Sequence, residues 1–451
     1  MTAHTPNPRL RALLDEASWT GQRLAEAVNA VGRERGMALT YGRATVSRWL
    51  AGTRPPPQIS TLAAEALARR IGRPVTTAET GLIGLTSPAE MALVRGDRRG
   101  VLELTELCSA DTDPTRWPTL RHTVYHVAQL SMPEWGKETP VMQPAHAPRP
   151  TTGLGPPQAE MVEAMTTAFC TADIAFGGGH TRTAVVAYLA GDVTLWLRTH
   201  RAVVHDRLLS AVALLVCLAG SMCSDEYLHG LAQRYQLVSL GLAHECGNGE
   251  VGAIVLCTMS EHAYGLGHLR EAHMLAELAV REQGRVAHMT AAFLHGQLAV
   301  TTAASGDRRG ALAHLRQAER HLARTDTSSC GPGTYHPAEL ARHHAEVLTA
   351  TGDLNGAIES LKESVLHCPP SERRARALTT ARLAELQIQV GLVEAASSTA
   401  QGFCRDYPYL HSARVTAALE LLRARLAPYR RTAGAREMLD QLEVLTRRGA
   451  S

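Results

Sequence analysis

Val46, Trp49 and Leu50 recur at i, i+3 and i+4 between Gly42 on one side and Gly52 with Pro55 on the other. That pattern predicts a short helix with one apolar face, an N-cap at Gly42 and a left-handed glycine closing it at Gly52. Arg43, Ala44, Ser47 and Arg48 then share the opposite face. Thr20–Val28 and Gln58–Arg70 have the same amphipathic spacing, and three such helices close a small core around Leu24, Val28, Val46, Trp49, Ile59, Leu62 and Leu67. A helix that exposes arginines and small side chains suits a DNA major groove, where Arg pairs with guanine and a small side chain admits thymine. The same residues suit the solvated face of a plain helical bundle.

From Pro157 onward almost every segment has helical spacing, and a turn residue followed five positions later by Ala recurs. The instances are Tyr227 to Ala232, Gly267 to Ala272, Gly306 to Ala311, Gly352 to Ala357 and Gly391 to Ala396, with turn residues 40, 39, 46 and 39 positions apart. A helix, a glycine turn and a second helix opening near Ala therefore repeat, which is the arithmetic of a helical-hairpin solenoid. First helices near 228–241, 257–264, 290–302, 340–348 and 376–390 line its concave side. Arg342, His343 and Gln387 fall on their exposed sides as candidate effector-binding residues. The alternative use of such a solenoid is only to join two copies of the chain or brace its N-terminal part.

Between these parts, Met91–Val94, Val101–Leu107 and Thr123–Leu130 read equally as helix or strand. Prolines at 140, 144, 148, 150, 156 and 157 then predict a linker or long loop. The organisation expected is a DNA-binding domain over residues 1–80, a connecting module and linker over 81–157, and a helical-repeat domain over 158–451.

Charge sharpens the first domain. The 451 residues carry a net charge of only +3, yet residues 1–74 hold eleven Arg against five Asp or Glu. A basic excess placed there favours phosphate neutralisation over a plain bundle. The N-terminus has no charged and apolar leader pattern, and the longest apolar run, Leu208–Ala219, is short for a bilayer, so a cytoplasmic protein without membrane attachment is expected. Nine Cys with no Cys-x-x-Cys pair argue against a disulfide framework and a zinc ribbon.

The residues of the first domain resemble the λ-repressor-like, Cro-type (XRE) helix-turn-helix family, through Leu24-Ala25 on one helix and Thr45-Val-Ser-Arg-Trp-Leu-Ala-Gly52 on the next. The resemblance implies base-reading roles for Arg43, Ala44 and Arg48 and a phosphate-facing position for Thr20 and Gln22; Ser47, on the same outward face, and Arg54 complete the expected DNA-contacting residues. The segment Asn29–Tyr41 is longer than the tight turn usual in that family. Ala303–Ala318 and Thr351–Leu361 resemble tetratricopeptide repeats, although the spacing exceeds that family's 34 residues. Asp173-Ile-Ala-Phe-Gly-Gly-Gly-His180 and the residues after it are similar to a segment of actinobacterial, Streptomyces-type regulators that join these two parts. The resemblance implies an all-α transcriptional regulator that binds a double-stranded operator, forms a homodimer and senses a peptide or protein effector. The rival reading is an interaction adaptor that does not bind DNA.

Enzymatic readings find no support in the residues. Gly177-Gly-Gly-His-Thr-Arg182 lacks the Lys-Ser/Thr of a nucleotide loop, and Gly247-Asn-Gly-Glu-Val-Gly252 follows a helical stretch instead of a strand. Both are expected to be interhelix turns. His122 with His126, or His343 with His344, have no third ligand nearby, and no Gly-x-Ser-x-Gly elbow occurs. No metal, cofactor or catalytic residue is expected.

Overall fold

The computed structural model describes residues 6–82, 100–130, 156–199, 206–282, 286–325 and 331–449. Among these residues the structure is all helical and contains no strand. Met91–Val94 and the proline-rich stretch through residue 155 lie outside them. Val101–Leu107 is helical, and Thr123–Leu130 is irregular until a 3₁₀ turn at Val127–Leu130. The chain divides into two compact units, and the segment read as a connecting module contributes 100–112 to the second and 113–130 to the first.

The first unit contains α1 (Pro8–Glu16), α2 (Gly21–Glu34), α3 (Arg43–Leu50) and α4 (Pro57–Ile71). Each begins where the sequence offers a cap or a proline. Asn7 and Thr20 accept the Leu10 and Arg23 backbone N–H groups at 3.1 and 3.3 Å, and Pro8 and Pro57 open α1 and α4. Gly42 precedes α3 in extended conformation, and Gly52 beyond its end has φ +103°. All seven expected core residues are buried, none more than 4% exposed, and Leu10, Leu13, Leu14 and Val124 join them.

The long connection between α2 and α3 has a local explanation. α2 runs on to Glu34, Gly36 turns the chain at φ +65°, and Asn29 then clamps the returning strand of chain. Its side chain donates to the Tyr41 carbonyl and accepts the Tyr41 N–H, both at 2.9 Å, while the Tyr41 ring meets Trp49 edge-on at 5.7 Å. The extra residues thus lengthen α2 and fix the start of α3.

A buried carboxylate ties the rest of this unit to α4. Glu65, 1% exposed, accepts Arg69 Nε at 2.8 Å and the Val127 N–H at 3.0 Å, and meets His126 Nδ1 at 2.7 Å. Arg69 also forks onto Glu34 at 2.6 and 2.8 Å. α6 (Trp117–Leu120) leads into this segment, and the His126 backbone exchanges two hydrogen bonds of 2.8 Å with the Gln233 side chain. His122 instead meets Arg35 at 2.9 Å, so the two histidines spaced for a shared ligand have separate partners.

The second unit comprises α5 (Gly100–Thr112), α7 (Pro156–Phe176), α8 (Gly178–Tyr188), α9 (Thr194–Thr199), α10 (Asp206–Asp225) and the helices after residue 234. α11 (His229–Glu245) is followed by four helix pairs. These are α12 (Gly249–Gly265) with α13 (Leu269–Glu282), α14 (His288–Ala304) with α15 (Arg308–Leu322), α16 (Pro337–Ala350) with α17 (Leu354–His367), and α18 (Arg373–Gln389) with α19 (Val393–Asp406). α20 (Ala413–Leu426) and α21 (Ala433–Gly449) finish the chain.

The turns of the four pairs are Gly267, Gly306, Gly352 and Gly391, at φ between +83° and +93°, a region costly for any side chain. The Ala five positions on, at 272, 311, 357 and 396, is completely buried in each pair. Tyr227 takes the same left-handed backbone at φ +57° without being glycine. Gly247, at φ +66°, turns α11 into α12, and Asn248 caps α12 by accepting the Val251 N–H at 3.2 Å. The dinucleotide-like string is therefore an interhelix turn.

α10 is 20 residues long and as apolar as a membrane span, longer than its apolar run suggested, but 78% of its apolar window is buried inside the unit. The glycines at 177–179 serve close packing. A side chain at Gly177 would meet the His411 carbonyl at 2.5 Å; the Gly178 and Gly179 N–H groups donate to Asp225 and to that carbonyl, each at 3.0 Å. Two of the loop's amides are thus bound within the chain. Asp173 in the same segment holds Arg374 of α18 at 2.7 and 3.1 Å.

Candidate nucleic-acid interface

The face of α3 is set by its two buried residues. Val46 is fully buried and Trp49 is 4% exposed, so Arg43, Ala44, Ser47 and Arg48 are turned outward, and all four are exposed. Gly21 at the start of α2 lies so close to Val46 that a side chain there would touch its Cγ1 at 3.3 Å. The Gln22 Oε1 atom accepts the Arg43 N–H at 3.0 Å while its Nε2 donates to Glu26 at 2.9 Å. The two helix starts are thereby locked together, with Thr20 and Gln22 exposed beside the exposed face of α3.

The arginines of this unit differ in what holds them. Arg69 is engaged by Glu34 and Glu65, and Arg73 forks onto Glu16 at 2.9 and 3.0 Å and reaches Glu79 at 3.0 Å. These staple the fold. Arg43, Arg48 and Arg54 are exposed and make no ion pair with another described residue. Unpaired positive charge therefore lies on and just after α3, as it also does at the exposed Arg11 of α1 and Arg33 of α2. All seven residues named from the sequence for DNA contact, Thr20, Gln22, Arg43, Ala44, Ser47, Arg48 and Arg54, are exposed. The Gln22 link to Arg43 was missed, because a hydrogen bond between residues 21 positions apart leaves no periodic trace.

The expected effector residues are placed differently. His343 and Gln387 are 1% and 3% exposed, which corrects their assignment to exposed helix sides. α16 turns His343 into a tight contact with α14, where Gly296 leaves room for it and for Tyr335, and the Tyr335 hydroxyl and His343 Nδ1 are 2.9 Å apart. Burial, then the adjacent Arg342, pushes the His343 imidazole down to about 3, so it is neutral at pH 7. Arg342 keeps about a third of its surface, but its guanidinium is held by Glu339 at 2.8 Å and lies 3.7 Å from Glu261 of α12. Burial opposes the charge of Glu339, yet Arg342, His343 and His336 hold its carboxyl down at about 2. This cluster is a crosslink between first helices.

The eight cysteines among the described residues form no disulfide with one another. Burial pushes Cys217 and Cys223 up to about 12, a range without nucleophilic use.

Residues 10–83 match the family model described as the SP15 N-terminal domain. The match covers α2 to α4 and all but the first two residues of α1. No curated protein matches the chain.

Proposed function

We propose that this chain is a sequence-specific DNA-binding transcriptional regulator of the Cro-type (XRE) helix-turn-helix class, acting in the cytoplasm. In this reading α2 and α3 are the two helices of the motif, and the paired helices after α11 form a tetratricopeptide-like domain that joins two chains and senses a peptide or protein effector. The observation that carries it is the outward face of α3. Arg43 and Arg48, with the small Ala44 and Ser47 between them, are exposed without carboxylate partners among the described residues, whereas Arg69 and Arg73 are spent on ion pairs. Arginines used only for solubility would not need a helix start pinned by Gln22. A single such helix makes few base contacts, so two heads acting together are required for specificity at physiological salt.

The test is a gel shift of the full-length protein with DNA from around its own gene at two salt concentrations. Specific binding that weakens steeply with salt supports the proposal. Absence of binding at low salt favours the other reading, an interaction adaptor built on helical repeats.

A further inference from the structure

Four histidines form a ladder between α14 and α15. His288 and His295 are seven residues apart on α14, His314 and His321 seven apart on α15, and two helical turns bring such residues to one face. The antiparallel pairing of the two helices sets His288 against His321 and His295 against His314. The rings alternate between helices in the order 288, 321, 295, 314, with neighbouring centroids 5.3, 5.8 and 5.4 Å apart. Within the two pairs the Nδ1 atoms are 3.1 and 3.3 Å apart.

Those separations have a chemical meaning. A divalent transition metal bound tetrahedrally by two imidazoles at about 2.0–2.1 Å holds the nitrogens roughly 3.3 Å apart. We infer that this edge binds divalent transition-metal ions, one between His295 and His314 and one between His288 and His321. Neutral imidazole is the ligand form, and the surroundings of His295, His314 and His321 favour it. Burial, then His314, His321 and Arg320, push His295 down to about 4, and burial is also the first cause of the lowering at His314 and His321. The charged and titratable groups near His314 are His273 and Glu277 of α13 and Asp307 at the head of α15; the two carboxylates offset part of an ion's charge. Among the described residues no three His, Cys, Asp or Glu side chains form a metal centre, so each ion takes two protein ligands and completes its shell with water. Imidazole pairs of this kind take Cu²⁺, Ni²⁺ and Zn²⁺ and reject Mg²⁺ and Ca²⁺.

The experiment is titration of the full-length protein with Cu²⁺ and Zn²⁺, read by calorimetry and, for Cu²⁺, by electron paramagnetic resonance. Two ions per chain are expected, with two nitrogens coupled to each copper, and Mg²⁺ should not compete. The His295→Ala, His314→Ala variant should lose one ion, the His288→Ala, His321→Ala variant the other, and the fourfold variant both. Zn²⁺ should raise the melting temperature of the wild type and leave that of the fourfold variant unchanged, which reports the site without reference to DNA binding. His288 is exposed and His321 partly so; the second double variant therefore keeps the test open should the first fold poorly. Copper binding of undiminished stoichiometry in a folded fourfold variant would assign the ions to other histidines and overturn the inference.

Discussion

Gln22 and Arg43 are joined by one hydrogen bond of 3.0 Å, from the backbone N–H that opens α3 to the side-chain oxygen near the start of α2. The bond leaves the Arg43 guanidinium unencumbered while fixing the backbone that carries it. Replacing Gln22 by Ala should cost about 0.5–1.5 kcal/mol of stability, the usual net worth of such a bond. DNA affinity should fall by more than stability alone explains, because the aim of α3 is loosened. Binding measured at a temperature well below the melting point separates the two effects.

Trp49 and Arg48 are neighbours with opposite duties. Trp49→Ala leaves a cavity in the first unit and should cost about 3–5 kcal/mol, enough to unfold it. Arg43→Ala and Arg48→Ala should leave urea unfolding unchanged. Circular dichroism during urea titration of the three variants checks the contrast.

Acid should loosen the first unit through Glu65. Burial opposes its charge, but His126 and Arg69 together hold its carboxyl below the ordinary glutamate range. A depressed pKa gives stability that is complete above the unfolded value, about 4.3, and is lost as pH falls through the folded value. Glu65→Gln should therefore cost roughly 3 kcal/mol at pH 7, as expected when a buried pair loses one member. Its deficit relative to wild type should shrink below about pH 4. Urea midpoints at pH 7 and at pH 3.5 test the sign.

Arg342→Ala should behave as a structural change in the repeat unit. It strands Glu339 and Glu261 on facing helices, and a loss of about 1–3 kcal/mol is expected, kept modest because water reaches a third of the guanidinium. Thermal melting of the variant against Arg342→Lys, which keeps a charge but loses the fork, measures it.

The sequence was legible where one residue type had one physical use. Left-handed turns at Gly267, Gly306, Gly352 and Gly391, buried alanines five positions later and the core around Val46 and Trp49 all follow from local spacing. It was less legible where partners are distant. Glu65 finds His126, and Gly178 finds Asp225, 61 and 47 residues away, and no periodicity announces either. His343 and Gln387 were misplaced because a polar residue on a repeat helix was read as solvent-facing, whereas the glycine at 296 admits an imidazole between helices. A second signal was present and unread. Gly306-Asp307-Arg-Arg-Gly310-Ala311 and Gly352-Asp353-Leu-Asn-Gly356-Ala357 share one device, in which the Asp side chain accepts the second glycine's N–H at 2.9 Å and leaves no room for a side chain there.

Selection of bound duplexes from a random-sequence pool tests the central claim most directly, run in parallel with full-length wild type and the Arg43→Ala, Arg48→Ala double variant. The account predicts that wild type enriches a defined sequence with two related half-sites. The double variant should bind that sequence more weakly by about 1–3 kcal/mol for each lost arginine contact, with its melting temperature unchanged. Equal enrichment by the two proteins, or no enrichment by wild type at low salt, would contradict the assignment of α3 as the reading helix.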